Sequence, residues 1–127
     1  MRFTGEEFYK YFFCGFQDYV KRNRNKYERA LSDAAWTVYV KDGFLCELAK
    51  NFGFKITKEG VYGVDLTWEK FPEGILVAIE HENDVTSVWD REIPSLLKTV
   101  APLKVLITYV GDDEFPGESI ANRLLGY

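Results

Sequence analysis

Five apolar residues, Ile75-Leu-Val-Ala-Ile79, run unbroken into Glu80-His-Glu82. A run of this kind reads as a strand covered on both faces. Such a strand has no packing reason to carry acids, because a desolvated carboxylate is costly unless it is paired or bound to a cation. Just upstream, Val64-Asp-Leu-Thr-Trp68 is a second apolar segment with one acid inside it. Two neighbouring strands with acids where packing wants none point to a divalent-metal site.

The rest of the chain can be arranged around these two strands. With 127 residues and 46% hydrophobic content it supports a single domain, 1–127, with a substantial core. Residues 1–31 read as an N-terminal aromatic and basic helix. Tyr9, Phe13, Phe16 and Val20 recur at helical spacing, and Phe8, Phe12 and Tyr19 widen the apolar face. In the core, 32–127, Ser32 or Asp33 can cap a second helix that Gly53 ends, with Val38, Leu45, Ala49 and Phe52 as its stripe. Within it, Trp36 to Val40 has strand propensity and Asp42-Gly43 is a candidate break.

From Phe54 the period changes to two. Strands are expected over 54–57, 61–70 and 75–82, joined by turns at 58–60 and 71–74. A third helix comes next, near Asp90, with Ile93, Leu96, Leu97 and Val100 on its apolar side and Pro94 in its first turn. Residues 104–110 make a fourth strand and 118–125 a short last helix. The expected fold is mixed α+β: a helix, a three-stranded antiparallel meander, a helix, and a strand parallel to the third because a crossover joins them.

A hairpin closed across 71–74 pairs Lys70 with Ile75, Trp68 with Val77, Leu66 with Ile79 and Asp65 with Glu80. Asp65, Glu80 and Glu82 then share the face opposite Leu66, Trp68, Val77 and Ile79. Opposed Cβ atoms stand about 4.5–5.5 Å apart, close enough to share one cation; without it, one acid would keep a proton. Hard carboxylate oxygens suit Mg2+, with Mn2+ able to substitute. A metal held there acidifies bound water and offsets charge developing on phosphorus. Glu47, on the helical line of Trp36, Val40 and Gly43, is a possible additional acid, although an ordinary helix-edge position is the commoner reason for one there.

These residues, with the element order over roughly 32–110, resemble the PD-(D/E)XK, or restriction-endonuclease-like, superfamily. The resemblance implies a restriction-endonuclease-like core, here with an extra N-terminal helix. It implies that Asp65, Glu80 and the main-chain carbonyl of His81 ligate the metal of an endonuclease, acting on DNA rather than RNA. Val64 stands where the motif often has proline, and Glu82 where it has its catalytic lysine. Glu82 is then a general base or a second-metal ligand, or Lys98 on the next helix supplies the missing ammonium. A catalytically silent domain of this fold, acting as a structural or regulatory interaction module, is the competing expectation. The His81 side chain alternates to the other face and reads as packing.

Charge is uneven along the chain. Residues 1–60 hold 11 Lys/Arg against 8 Asp/Glu, and residues 61–127 hold 5 against 12, so +3 and −7 give the net −4. A basic front that meets a polyanion and an acidic back that meets a metal would look like this; so would ordinary unevenness. Five of the nine residues 21–29 are basic, and Lys21, Arg22, Arg24, Lys26 and Arg29 are the candidate nucleic-acid contacts. A solvated helix end favours the same cations. Trp36, Trp68 and Trp89 could stack on bases, with core packing the plainer use. The wide aromatic face of residues 8–20 predicts a homodimer. No segment reaches the roughly 20 apolar residues of a membrane span. Met1 to Glu7 is too acidic for a signal peptide, and Cys14 and Cys46 form no framework. The expected setting is a reduced cytoplasm, away from membranes.

Overall fold

In the computed structural model, residues 4–30, 32–60, 63–84 and 88–109 are described. Helix α1 (Gly5–Arg22) starts at Thr4, whose hydroxyl accepts from the Glu7 amide at 3.0 Å and so satisfies one of the unpaired amides of a helix start. The helix stops short of the expected Leu31. Asn23 leaves the helical region (φ −124°), its Nδ2 donates to the Tyr19 carbonyl at 3.0 Å, and α2 (Arg24–Arg29) restarts after it. A side-chain amide that serves the backbone in this way competes with helix continuation.

Ser32 caps the next helix as expected, accepting from the Ala35 amide at 3.2 Å. From this cap the chain forms one rod in three parts: α3 (Asp33–Thr37), a π-helical segment (Val38–Leu45) and α4 (Cys46–Asn51). Gly53 then takes φ +77°, the left-handed value that ends helices. Asp42-Gly43 is therefore not a break but part of the π-helical winding. Its i→i+5 bonding shifts the phase of the helix, so Val38 is 58% exposed while Tyr39, Val40, Phe44, Leu45, Leu48 and Ala49 are buried.

The sheet has order β1-β2-β3-β4, with β1 (Lys55–Lys58), β2 (Leu66–Lys70), β3 (Gly74–Glu82) and β4 (Leu103–Thr108). The first three run antiparallel and β4 is parallel to β3. The crossover contains a π-helical turn (Val88–Glu92) and α5 (Ile93–Lys98), with Pro94 in its first turn. The result is the mixed α+β sheet expected. Leu66 meets Ile79 and Trp68 meets Val77 as predicted, but a bulge shifts the hairpin end so that Lys70 pairs with Gly74. Strand β2 also begins at Leu66 rather than Val61. Gly63, at φ +70°, donates its amide to the Gly60 carbonyl at 2.9 Å, while positions 61 and 62 of the expected strand lie outside the described residues.

Alternation along β3 divides the core. Val77 and Ile79 join the main cluster with Phe8, Tyr19, Phe44, Leu66 and Trp68, while Ala78 joins Val64 and Leu96 on the other face. The α1 stripe that the core uses is Phe8, Phe12, Phe16 and Tyr19. Tyr9 and Phe13, expected inside, are 66% and 52% exposed. So many aromatics ring the helix that spacing alone does not select the inner line. On α5, Ile93 and Leu96 are buried and Leu97 is exposed, because so short a helix presents one line to the sheet, and Val100, expected on the same side, lies exposed beyond its end. The expected helix at 118–125 lies outside the described residues. Among those described, no helix is long and apolar enough to cross a membrane.

Phe44 is the hub of the aromatic cluster, with the rings of Phe12, Phe16 and Tyr19 at 5.3, 5.2 and 5.6 Å. Phe44→Ala is expected to cost about 3–5 kcal/mol, read as the loss of unfolding free energy in urea titration. A loss below about 1 kcal/mol would contradict the packing described.

Candidate functional site

The two acid-bearing segments meet at the end of the β2–β3 pair. Asp65 sits one residue before β2, in a bend rather than within the strand. Its amide donates to Glu80 Oε1 at 3.2 Å, and its Oδ2 accepts from the His81 amide at 2.8 Å. This reciprocal pair of bonds continues the strand pairing through side chains where the regular ladder stops. Asp65 Oδ1 lies 3.9 Å from Lys41 Nζ of the π-helical segment.

Glu80 is 4% exposed. Burial, with the Asp65 charge next, pushes its pKa up to about 8. Glu82 is less enclosed. Burial would raise its pKa, but the Asp84 amide at 2.8 Å, a hydrogen bond shared with Glu92, and Arg91 at 3.8 Å together hold it below the ordinary carboxylate value. Glu92, 7% exposed, is shifted upward by burial and by that shared bond. The two acids are thus shifted in opposite directions, Glu92 up and Glu82 down.

Asp65, Glu80, Glu82 and Glu92 line one cleft of about 530 Å3, together with Arg91 and Lys98. Three acids expected together, and the lysine expected from the next helix, therefore share a cavity. Glu92 was not foreseen, although it stands on the line Val88, Glu92, Leu96, all buried; an acid in an apolar stripe is the signal that exposed Asp65 and Glu80. Lys41 had no such signal, since its position depends on the π-helical phase. The His81 side chain does alternate away: its Nε2 is 2.8 Å from the Tyr109 hydroxyl, and burial lowers its pKa, so it is neutral.

Glu47 does not approach this cleft. It binds Arg22 in two-pronged fashion at 2.9 and 3.1 Å, because α4 turns that face towards α1. Arg22 also reaches Asp18 at 2.8 Å, and Arg24 pairs with Glu28 at 3.4 Å. Of the five candidate nucleic-acid contacts, Lys21 and Lys26 make no ion pair among the described residues, and Arg29 gives Nε to the Asn25 carbonyl at 3.1 Å. All five line a hollow of about 350 Å3 around Asn23. Trp68 is fully buried between Phe8 and Phe54, and so is a core residue.

Among the described residues, no three His, Cys, Asp or Glu side chains stand close enough to enclose an ion by themselves. The donor set still suits a hard cation held by two carboxylates. Glu80 is a buried acid kept neutral by its own surroundings, and a divalent cation would supply the charge that its ionised form lacks. No protein-family model matches the chain, and neither a curated protein nor a solved structure matches it.

The upward shift of Glu80 has a definite sign in stability. Between the ordinary carboxylate pKa and about 8, the folded chain keeps a proton that the unfolded chain releases, so stability falls as pH rises through that window. Glu92 adds to the fall. The melting temperature in EDTA is expected to drop from about pH 5.5 to about pH 8.5, less steeply in Glu80→Gln. An equally steep drop in that variant would refute the assignment.

Proposed function

We propose that the chain is a divalent-metal-dependent endonuclease with a restriction-endonuclease-like core, cleaving phosphodiester bonds in DNA in preference to RNA. The observation that carries this reading is the reciprocal bonding of Asp65 and Glu80 inside a cleft that also holds Glu82 and Lys98. The meander, crossover and parallel fourth strand are the element order such a core requires.

Mg2+ is commonly held by one or two carboxylates with waters and phosphate oxygens completing the shell, so Asp65, Glu80 and the His81 main-chain carbonyl suffice as protein ligands. When bound, the ion supplies an acidified water and a counter-charge for the phosphate. Glu82 is ionised but held below its ordinary pKa, which makes it a weak base. Its electrostatics favour orienting the attacking water, or ligating a second ion, over proton abstraction. Lys98 offers its ammonium to the substrate phosphate from across the cleft. Lys21, Lys26 and Arg29 are the cations left for backbone phosphates. Tyr9, Tyr11 and Phe13, exposed along α1, are the surface for a second copy, which would bring a second cleft to a duplex.

Asp65→Asn and Glu80→Gln should abolish Mn2+ binding in calorimetry. They should also lower cleavage of plasmid DNA by more than about 100-fold, since even partners of metal ligands cost 10–100-fold. Wild-type Mn2+ binding should release about one proton near neutral pH, measurable as a buffer-dependent heat. Glu82→Lys keeps activity if Glu82 only fills the lysine's place and removes it if Glu82 ligates an ion. The commitment of Arg22 and Arg24 to acids favours a second reading, a silent interaction module. Inert wild type without Mn2+ heat would establish that reading and end the nuclease one.

A further inference from the structure

Each of the two carboxyl pairs has a cation beside it at more than hydrogen-bonding distance. Lys41 Nζ stands 3.9 Å from Asp65 Oδ1, and Arg91 lies 3.8 Å from Glu82 and 4.0 Å from Glu92. A charge-assisted hydrogen bond would close to about 2.7–2.9 Å. The two cations differ in setting. The Arg91 side chain is 70% exposed, so water and salt screen it, whereas the Lys41 side chain is 16% exposed. Lys41 has no second acid to serve. Its neighbour Asp42 is taken by Lys58 at 3.0 Å, which leaves Asp65 as its ion-pair partner among the described residues.

We infer that Lys41 is a tethered counter-cation of the metal site: it offsets the Asp65 charge while no ion is bound, and a divalent cation binds against its repulsion. The inference rests on the metal-site reading above and adds to it what sets the affinity for the ion. Asp65 Oδ2 is committed to the His81 amide at 2.8 Å, so an ion drawn to Asp65 meets Oδ1, the oxygen that Lys41 approaches. Lys41 does not line the cleft; it comes from the π-helical segment, so it competes through its charge and does not fill the place of the ion. Two cations on one carboxylate repel, and for a charge this enclosed the repulsion is weakly screened. The lysine stem is flexible and the contact is loose, so the ammonium can be pushed aside. The site is thus built for weak, reversible loading by an ion that draws the rest of its shell from water and phosphate, and its occupancy follows the free-ion concentration.

The test is Mn2+ calorimetry at one pH near neutrality, in low and in high salt. Lys41→Met should bind Mn2+ at least about tenfold more tightly than wild type, because the competing charge is gone while a stem remains to pack. Lys41→Gln, which keeps a polar end, should tighten binding likewise, and Lys41→Arg, which keeps the charge, should stay near wild type. The gain should survive high salt, whereas any gain in Arg91→Met should be smaller and fade there. At equal Mn2+, the rise in melting temperature should be larger in Lys41→Met than in wild type, since tighter binding stabilises more. Unchanged or weaker binding in both Lys41→Met and Lys41→Gln overturns the inference, because a lysine that only positions Asp65 gives that result. Glu80→Gln judges the metal site separately. Its loss of Mn2+ binding beside an unchanged Lys41→Met removes this inference and leaves the site standing. Undiminished binding in Glu80→Gln, or no Mn2+ heat in any variant, removes both.

Discussion

The amide-to-carboxylate exchange between Asp65 and the Glu80–His81 backbone is the contact on which the site depends. The regular ladder of β2 ends at Leu66, and further back the Gly63 amide bonds the Gly60 carbonyl instead. Asp65 replaces the missing ladder bonds with side-chain ones: it donates its amide to Glu80 and accepts the amide of His81. The same two bonds that satisfy backbone groups at a strand end hold two carboxyl groups together. A substitution to an apolar residue would leave a buried amide unpaired as well as remove a charge.

That economy has an electrostatic cost. Two neighbouring acids, one of them buried, cannot both ionise cheaply, and Glu80 answers by keeping a proton. One strand step further on, the same problem is solved differently. Glu82 is held below its ordinary value by the Asp84 amide, Glu92 and Arg91, while burial shifts Glu92 upward. The cleft therefore contains two carboxyl pairs, Asp65 with Glu80 and Glu82 with Glu92, and in each burial raises the pKa of the more enclosed member. They differ in access: Glu80 is enclosed while the Glu82 side chain is 19% exposed and partnered by an exposed arginine. Environments that separate the ionisation of neighbouring acids are how a site assigns them different roles.

Much of this was legible from residues alone. Period-two alternation and the hairpin length placed Leu66 opposite Ile79 and Trp68 opposite Val77, and the acids went with them. Ser32 and Gly53 marked the ends of the second helical rod because cap chemistry is local. The failures have one physical origin, a departure from ideal geometry that no spacing encodes. The bulge beside Glu69 moved the turn end by one residue. The π-helical winding moved Val38 out and, with it, the face on which Glu47 sits. On α1 the helix was evident, but seven aromatic positions between Phe8 and Tyr19 gave too many inner lines to choose from.

The π-helical segment is also the element common to both halves of the molecule. Lys41 reaches Asp65 from it, while Val38, Tyr39, Asp42 and Gly43 line a hollow of about 500 Å3 on the side of α1 and α2. An ordinary helix over these eight residues would turn at 100° per residue and could not present Lys41 and its neighbours in the same way. Proximity through one element is not coupling; coupling needs an element with two arrangements that each site biases. The Lys41–Asp65 separation of 3.9 Å is longer than the 2.7–2.9 Å of a charge-assisted hydrogen bond, so the ammonium is near the acid without being locked to it. A cation bound at Asp65 would repel that ammonium, and so loose a contact could be given up without breaking a formed hydrogen bond.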